Sequence, residues 1–320
     1  MISPVARSAD PAYSWFMPKP SPLLELLAGA LERATLLDPP ADLLQRLTRR
    51  LLPGGPVKDL LSGTPIGHPL HPALVVVPIG SVVAAAALDV TGGDRAASRR
   101  LVGLGIVSAV PAALTGLSDW ADTGGAERRL GLVHAVSNTV GLGLLAASWI
   151  ARRAAAGGAW SRRGVGAPGT VSALAGLGVI GFSGWLGGHL AYALGVGVDT
   201  TAFTVLPTEW TDACEIGDLE EDRPHLVHVA GAPVLVVRER GLLVAMADRC
   251  SHRGGPLHEG TVRDGCVQCP WHSSTFDLAE GSVVAGPATR PQPVLQTRVV
   301  EGRLQVRREE PRALRRNPVH

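Results

Sequence analysis

Polar and apolar positions divide the chain into two textures. In the first two thirds, four windows hold no Asp, Glu, Lys or Arg: 60–88 (29 residues), 101–118 (18), 130–151 (22) and 164–198 (35). A helix needs about 20 mostly apolar residues to cross a bilayer. The windows therefore predict four membrane helices over 69–89, 101–119, 130–150 and 171–195. They are rich in Gly, Ala and Ser, which let helices approach closely where lipid supplies no hydrophobic drive between them. Ahead of them, residues 23–52 carry leucines at helical spacing, divided by Pro39-Pro40. That pattern predicts two short amphipathic helices, packed on the next domain or lying in the membrane interface. Residues 1–22 contain Asp10, Lys19 and scattered prolines without an apolar core, so a cleavable signal peptide is not expected there. From about residue 201 the pattern shortens to alternating stretches at 225–229, 234–238, 242–247, 296–300 and 304–306, separated by Gly, Asp and Pro. That predicts a small antiparallel β domain. The expected organisation is an N-terminal amphipathic segment (1–60), a four-helix transmembrane bundle (61–200), an all-β domain (201–308) and a basic tail (309–320).

Composition sharpens this picture. The 320 residues carry 30 Lys+Arg against 28 Asp+Glu, and only 18% are charged. Near-balance argues against a nucleic-acid partner, and the low charge against a wholly soluble protein. The four cysteines, Cys214, Cys250, Cys266 and Cys269, all lie in the last third, a clustering that reads as metal chemistry before disulfide stapling. Gly103–Gly105 and Gly176–Gly178 lie inside apolar windows, in a repeated L-x-G-L-G, and are no dinucleotide fingerprint.

Polar residues inside the windows carry information because each is expensive in hydrocarbon. His68 and His71 (GHPLHP) open the first helix, Asp119 and Trp120 close the second, His134 sits early in the third and His189 late in the fourth. Counting crossings brings all four histidines and Asp119 toward one membrane face. One reading is a cofactor site: bis-histidine haem b, a metal, or a quinone pocket. The plainer reading is that these histidines cap helix ends and bond water or lipid headgroups. Residues 60–198, with GHPLHP near their start, resemble an uncharacterised bacterial four-helix membrane domain, which implies no established activity.

Two loops in the β domain carry the strongest chemistry. CSHRGGPLHEG (250–260) and CPWHSSTFDL (269–278) give C-x-H, sixteen residues, then C-x-x-H. Each loop offers one thiolate and one imidazole, whereas a zinc finger pairs two Cys in one segment and two His in another. Together with Glu280-Gly281 and Gly286-Pro287-Ala288, these loops resemble the Rieske [2Fe-2S] family over about 202–308. The resemblance implies that Cys250 and Cys269 hold one iron, and that His252 and His272 hold the other and face solvent. Replacing two thiolates by neutral imidazoles raises the potential, to roughly −150 to +300 mV. Cys214, Cys266, His225 and His258 fall off the pattern and are expected to be structural.

Two departures from the respiratory type of that family matter. Gly255 and Trp271 stand where that type carries a disulfide, so no such clip is expected. Ser274 keeps a serine that would donate to sulfur, while Phe276 lacks the corresponding tyrosine hydroxyl. Fewer donors to sulfur stabilise the reduced cluster less, so the expected potential lies below the quinol-oxidising type. Only 48 residues follow His272, leaving no expected room for a mononuclear-iron oxygenase domain.

The function expected is a membrane-anchored electron carrier, with one electron passing between the cluster and a quinone, haem or protein partner. The alternatives are a tethered redox sensor or assembly protein, and a ferredoxin-like donor to a separate oxygenase. The expected partners are membrane lipid and a redox partner protein or quinone. Arginines in loops one and three (seven) outnumber the basic residues on the other side (five), which places the β domain outside. The basic tail points the other way. Ser161-Arg162-Arg163 faintly resembles an export signal. The sequence leaves the side unassigned.

Overall fold

The computed structural model describes residues 22–155, 167 and 169–308. The expectations about residues 1–21, the Arg162-Arg163 pair and the tail from 309 lie outside the described residues.

Two amphipathic helices come first, α1 (Pro22–Arg33) and α2 (Asp38–Leu51). Pro39 and Pro40 start α2, where a missing N–H costs nothing, instead of interrupting a helix. α2 packs on the bundle. Its buried polar face sets Gln45 Nε2 on the carbonyls of Trp120 (2.9 Å) and Thr123 (3.0 Å), and Arg49 on that of Ala121 (2.7 Å from Nη2). Asp38 takes Arg128 and Arg129 at 2.9 and 2.8 Å. A short helix, α3 (Pro56–Ser62), follows.

Four segments are long and apolar enough to cross a membrane: Leu70–Thr91, Arg95–Trp120, Gly125–Ala155 and Thr170–Tyr192. The first is broken into α4 (Leu70–Leu74) and α5 (Val76–Thr91). Pro78 explains the break: it cannot donate to the Leu74 carbonyl four residues back, and its ring crowds that turn. The others are α6 (Arg95–Trp120), opened by Asp94, whose carboxylate accepts from Ala96 N at 2.8 Å, then α7 (Gly125–Ala155) and α8 (Thr170–Tyr192). The bundle closes on small residues. A Cβ on Gly141 would stand 2.6 Å from Ile180, and one on Gly131 2.2 Å from the Trp120 ring. Arg152 and Asp89 neutralise each other in a buried bidentate pair that also holds Ser98. Arg152 therefore belongs to α7 and not to the third loop, where the orientation count had put it.

The C-terminal domain has a six-stranded antiparallel sheet in the order β1-β10-β9-β4-β3-β2 and a four-stranded sheet in the order β5-β6-β7-β8. The first comprises β1 (Thr211–Glu215), β2 (Pro224–Val229), β3 (Ala232–Glu239), β4 (Leu242–Ala247), β9 (Val294–Val300) and β10 (Arg303–Arg307). The second comprises β5 (Thr261–Arg263), β6 (Cys266–Gln268), β7 (Thr275–Asp277) and β8 (Val283–Ala285). β3 is buried on both faces, which is why it reads as an unbroken apolar run. Val234 and Val236 enter one core, while Leu235 and Val237 enter a second with Met246, Leu257, Phe276, Cys250 and Cys269. That second core lies under the two loops that carry the Cys and His pattern. Cys214 lies in β1, at the sheet's edge.

Candidate metal centre

The first loop joins β4 to β5 and the second joins β6 to β7, so the topology brings both to one end of the domain. Each is closed by its own backbone. Cys250 N donates to Gly255 O (2.9 Å) and Gly254 N to Cys250 O (2.8 Å). Cys269 N donates to Ser274 O (2.8 Å) and Ser273 N to Cys269 O (3.1 Å). Cys250 and Cys269 are 1% and 2% exposed and unpaired by any disulfide. The His252 and His272 rings stand edge to face with centroids 5.1 Å apart.

This donor set fits a two-iron cluster. His252 Nδ1 is buried with no hydrogen-bond partner. A buried lone pair left unmet is costly unless something occupies it. Two imidazoles bound about 2.0–2.1 Å from one tetrahedral metal would place their ring centres about 5.2 Å apart, close to what is seen. Among the described residues, no three His, Cys, Asp or Glu side chains converge on one ion position. The four donors instead fall into a sulfur pair and an imidazole pair.

The electrostatics agree. Burial drives both imidazoles toward the neutral form, His252 most strongly. The Cys250 thiol donates a hydrogen bond to the Cys269 sulfur. That bond, with backbone N–H groups of Trp271 and His272 aimed at the same sulfur, lowers Cys269 to about 7. The neighbouring sulfur and burial push Cys250 up. Cys269 is thus the more readily deprotonated of the two sulfurs, and a metal cation would displace the thiol protons.

Three residues support the loops, of which Gln292 alone went unmarked in the sequence. Gly255 is held by close approach: a Cβ there would stand 2.8 Å from Cys269 Sγ and 3.1 Å from Trp271. Gly286 (φ +89°) would put a Cβ 2.6 Å from Ser274 Cα. Gln292, 2% exposed, accepts from Ser251 N (3.0 Å) and donates to the carbonyls of Ala247 (2.6 Å) and Arg249 (2.7 Å), tying the first loop down. A polar residue between Pro291 and Pro293 was the available signal. Ser274 is fully buried and its Oγ accepts from Ala288 N at 3.1 Å, which leaves its own O–H proton to donate. Phe276 is fully buried beneath the cysteines. His225 and His258 are structural: His225 Nε2 accepts from Glu220 N (3.1 Å), and His258 Nδ1 bonds Asp248 (2.9 Å).

One expectation is overturned. His252 does not face solvent, because the helical domain covers it, while His272 beside it is half-buried. The His252 side chain is 15% exposed, and its Nε2 lies 3.8 Å from Asp122 Oδ2 in the α6–α7 turn. Asp122 is paired with Lys58 of α3 at 2.9 Å, both buried, and Lys58 also donates to Ser118 O (3.1 Å). Arg253 pairs with Glu127 of α7. Thr64 Oγ1 donates to Gly286 O at 2.7 Å, and Thr200 Oγ1 of the connecting segment donates to Cys250 O at 2.7 Å.

The bundle histidines also part company. His68 is exposed on the turn before α4. His189 Nε2 bonds Glu32 of α1 at 2.8 Å. Only His71 and His134 come together, with ring centroids 6.4 Å apart. The expected convergence of four is a pair.

Comparison with known proteins finds a match for each half. Residues 209–300 match the model of the Rieske [2Fe-2S] domain, and residues 67–200 that of a predicted membrane protein, DUF2231. The anthranilate 1,2-dioxygenase ferredoxin subunit of Burkholderia cepacia is 40% identical over 99 residues, 31% of this chain and 91% of the relative. Ferredoxin CarAc of Metapseudomonas resinovorans is 30% identical over 102 residues, 32% of this chain and 95% of the relative. The solved ferredoxin of carbazole 1,9a-dioxygenase from Nocardioides aromaticivorans IC177 is 24% identical, covering 32% of this chain and all of its own, with a TM-score of 0.31.

Proposed function

The chain belongs to the Rieske [2Fe-2S] family through its C-terminal domain, and from that premise we propose that it is a membrane-anchored electron carrier whose partner lies on the membrane side of the cluster. When bound, the cluster supplies storage for one electron. Cys250 and Cys269 would hold one iron on the buried side. His252, through its buried and unpartnered Nδ1, and His272 would hold the other, with His252 Nε2 3.8 Å from Asp122.

The observation that carries this reading is the seat of the imidazole edge. In a free ferredoxin that edge is the natural exit for an electron, because the outer iron's ligands lie nearest the surface. Here Lys58, Asp122, Glu127 and Arg253 fasten it to the α6–α7 turn. The shortest exit therefore leads into the helical domain, where a quinone or haem would be met. Four helices of spanning length support anchoring in lipid.

A second reading is supported by the relatives named as ferredoxin subunits: this chain could give its electron to a separate oxygenase. The test is full-length protein in lipid vesicles, with the cluster followed by EPR. Reduction by added quinol, or oxidation by added quinone, supports the membrane-side partner. A cluster inert to both, yet rapidly reduced by a soluble flavin reductase, refutes it in favour of the ferredoxin reading.

A further inference from the structure

The His71 and His134 rings lie within the bundle, His71 against α6 and His134 against α8. Each is held through Nδ1 by a backbone carbonyl. His71 Nδ1 lies 2.8 Å from Ala112 O, and His134 Nδ1 2.8 Å from Ser183 O. A carbonyl oxygen only accepts, so both Nδ1 atoms carry the proton and both Nε2 atoms carry the lone pair. That is the tautomer and the outer hydrogen bond that metal-binding histidines use. Each ring also lies against a glycine of the neighbouring helix. A Cβ on Gly116 would stand 2.8 Å from the His71 ring, and one on Gly187 3.2 Å from that of His134. Each ring is thus seated, by its Nδ1 edge, on a single neighbouring helix.

Their spacing differs from that of the cluster histidines in a way that has chemical meaning. Two imidazoles bound at about 2.0–2.1 Å on opposite sides of one metal stand about 6.3 Å apart, centre to centre, against about 5.2 Å at a tetrahedral angle. His71 and His134 stand at 6.4 Å, with ring planes at 83°. No third His, Cys, Asp or Glu joins them among the described residues. A bare divalent ion would want three or more protein donors. A metal that asks the protein for two opposed donors brings its other four with it, as the iron of a tetrapyrrole does. Ala112 and Gly116 of α6 and Ser183 and Gly187 of α8 lie against the pair, and bundle cores commonly build cofactor sites from facing helices.

We propose that His71 and His134 are the two axial ligands of a haem in the bundle. Ala112 O and Ser183 O are the positioning acceptors, and Asn138, whose Nδ2 lies 3.1 Å from His134 Nε2, is the group the metal displaces. His68 and His189 take no part. This deepens the membrane-side reading by naming its acceptor, and it rests on that reading only for its role, not for its geometry.

The test uses the full chain purified in detergent, read in two channels: reduced-minus-oxidised optical spectra with a pyridine haemochrome assay, and cluster EPR. The expected result is one low-spin haem per chain, as isolated or after titration with haemin. His71→Ala and His134→Ala should each weaken haemin binding at least tenfold, while His68→Ala and His189→Ala bind as the parent does. His71→Gly supplemented with imidazole should regain the low-spin spectrum. Cluster EPR retained in every variant shows that the fold survives. No haem uptake by a protein with an intact cluster signal overturns this proposal and leaves the carrier reading standing. Equal loss in the His68 and His71 variants also overturns it. Haem present with quinone and quinol both inert toward the cluster overturns the carrier reading alone.

Discussion

Lys58→Met removes the partner of a buried carboxylate. The Lys58 and Asp122 side chains are 9% and 7% exposed, so the Asp122 charge would remain desolvated beside His252 with its ammonium gone. Breaking a buried pair from one side costs about 3–5 kcal/mol, because the orphaned charge keeps its desolvation penalty. Opening the turn to water relieves that penalty. At about 1.4 kcal/mol per factor of ten, the open population should rise between about a hundredfold and a few thousandfold. The amides of Asp122 and Thr123, bonded to Asp119 O (3.2 Å) and Trp120 O (3.1 Å), report it. Their hydrogen exchange, measured where rate tracks the open population, should accelerate by that factor. Lys58→Met with Asp122→Leu should exchange nearly as the parent does, since an apolar pair of similar volume replaces a buried ion pair at little cost. Exchange of the single variant within threefold of the parent, or a double variant as fast as the single, would refute the reasoning.

Gly255→Ala pushes a methyl into Cys269 Sγ and Trp271, and should leave less than half of the iron and acid-labile sulfide; full occupancy by analysis counts against close approach as the reason for glycine. Phe276→Tyr adds a hydroxyl beneath the cysteines and should raise the midpoint potential in an EPR redox titration, since a donor to sulfur favours the reduced cluster. An unchanged midpoint would show that the hydroxyl does not reach sulfur. Arg129 and Arg128 hold the Asp38 carboxyl down at about 2. A depressed carboxyl stabilises fully above its unfolded value near 3.8 and loses that contribution as pH falls toward 2. The α2 amides should therefore gain an exchange step between about pH 4 and 2, absent in Asp38→Asn.

What could be read from the sequence was what repeats or what chemistry fixes at short range. Charge-free windows located the four spanning segments to within a few residues, and alternation found β2, β3, β4, β9 and β10. The three-residue strands β5 to β8 are too short to show a period, and β1 carries polar residues on an edge. The C-x-H and C-x-x-H pattern was legible because each ligand pair sits within four residues. The cover over the imidazoles was not. It joins Lys58, Asp122 and Glu127 to His252 and Arg253 across more than a hundred residues of chain, and nothing local in any of them announces the others. For the same reason counting crossings put four histidines on one face, while only packing could show that Glu32 claims His189 and that His71 meets His134.

The segment from Ala193 to Pro207 keeps the cluster loops on the α6–α7 turn, with Thr200 bonded to Cys250 O. A free ferredoxin must find its partner by diffusion, and its turnover rises with the amount of each protein present. A tether makes the encounter unimolecular, at an effective concentration set by linker length instead of by expression. Where the cluster's partner lies in the helical domain, as proposed, dilution of the membranes leaves the rate of exchange between them unchanged.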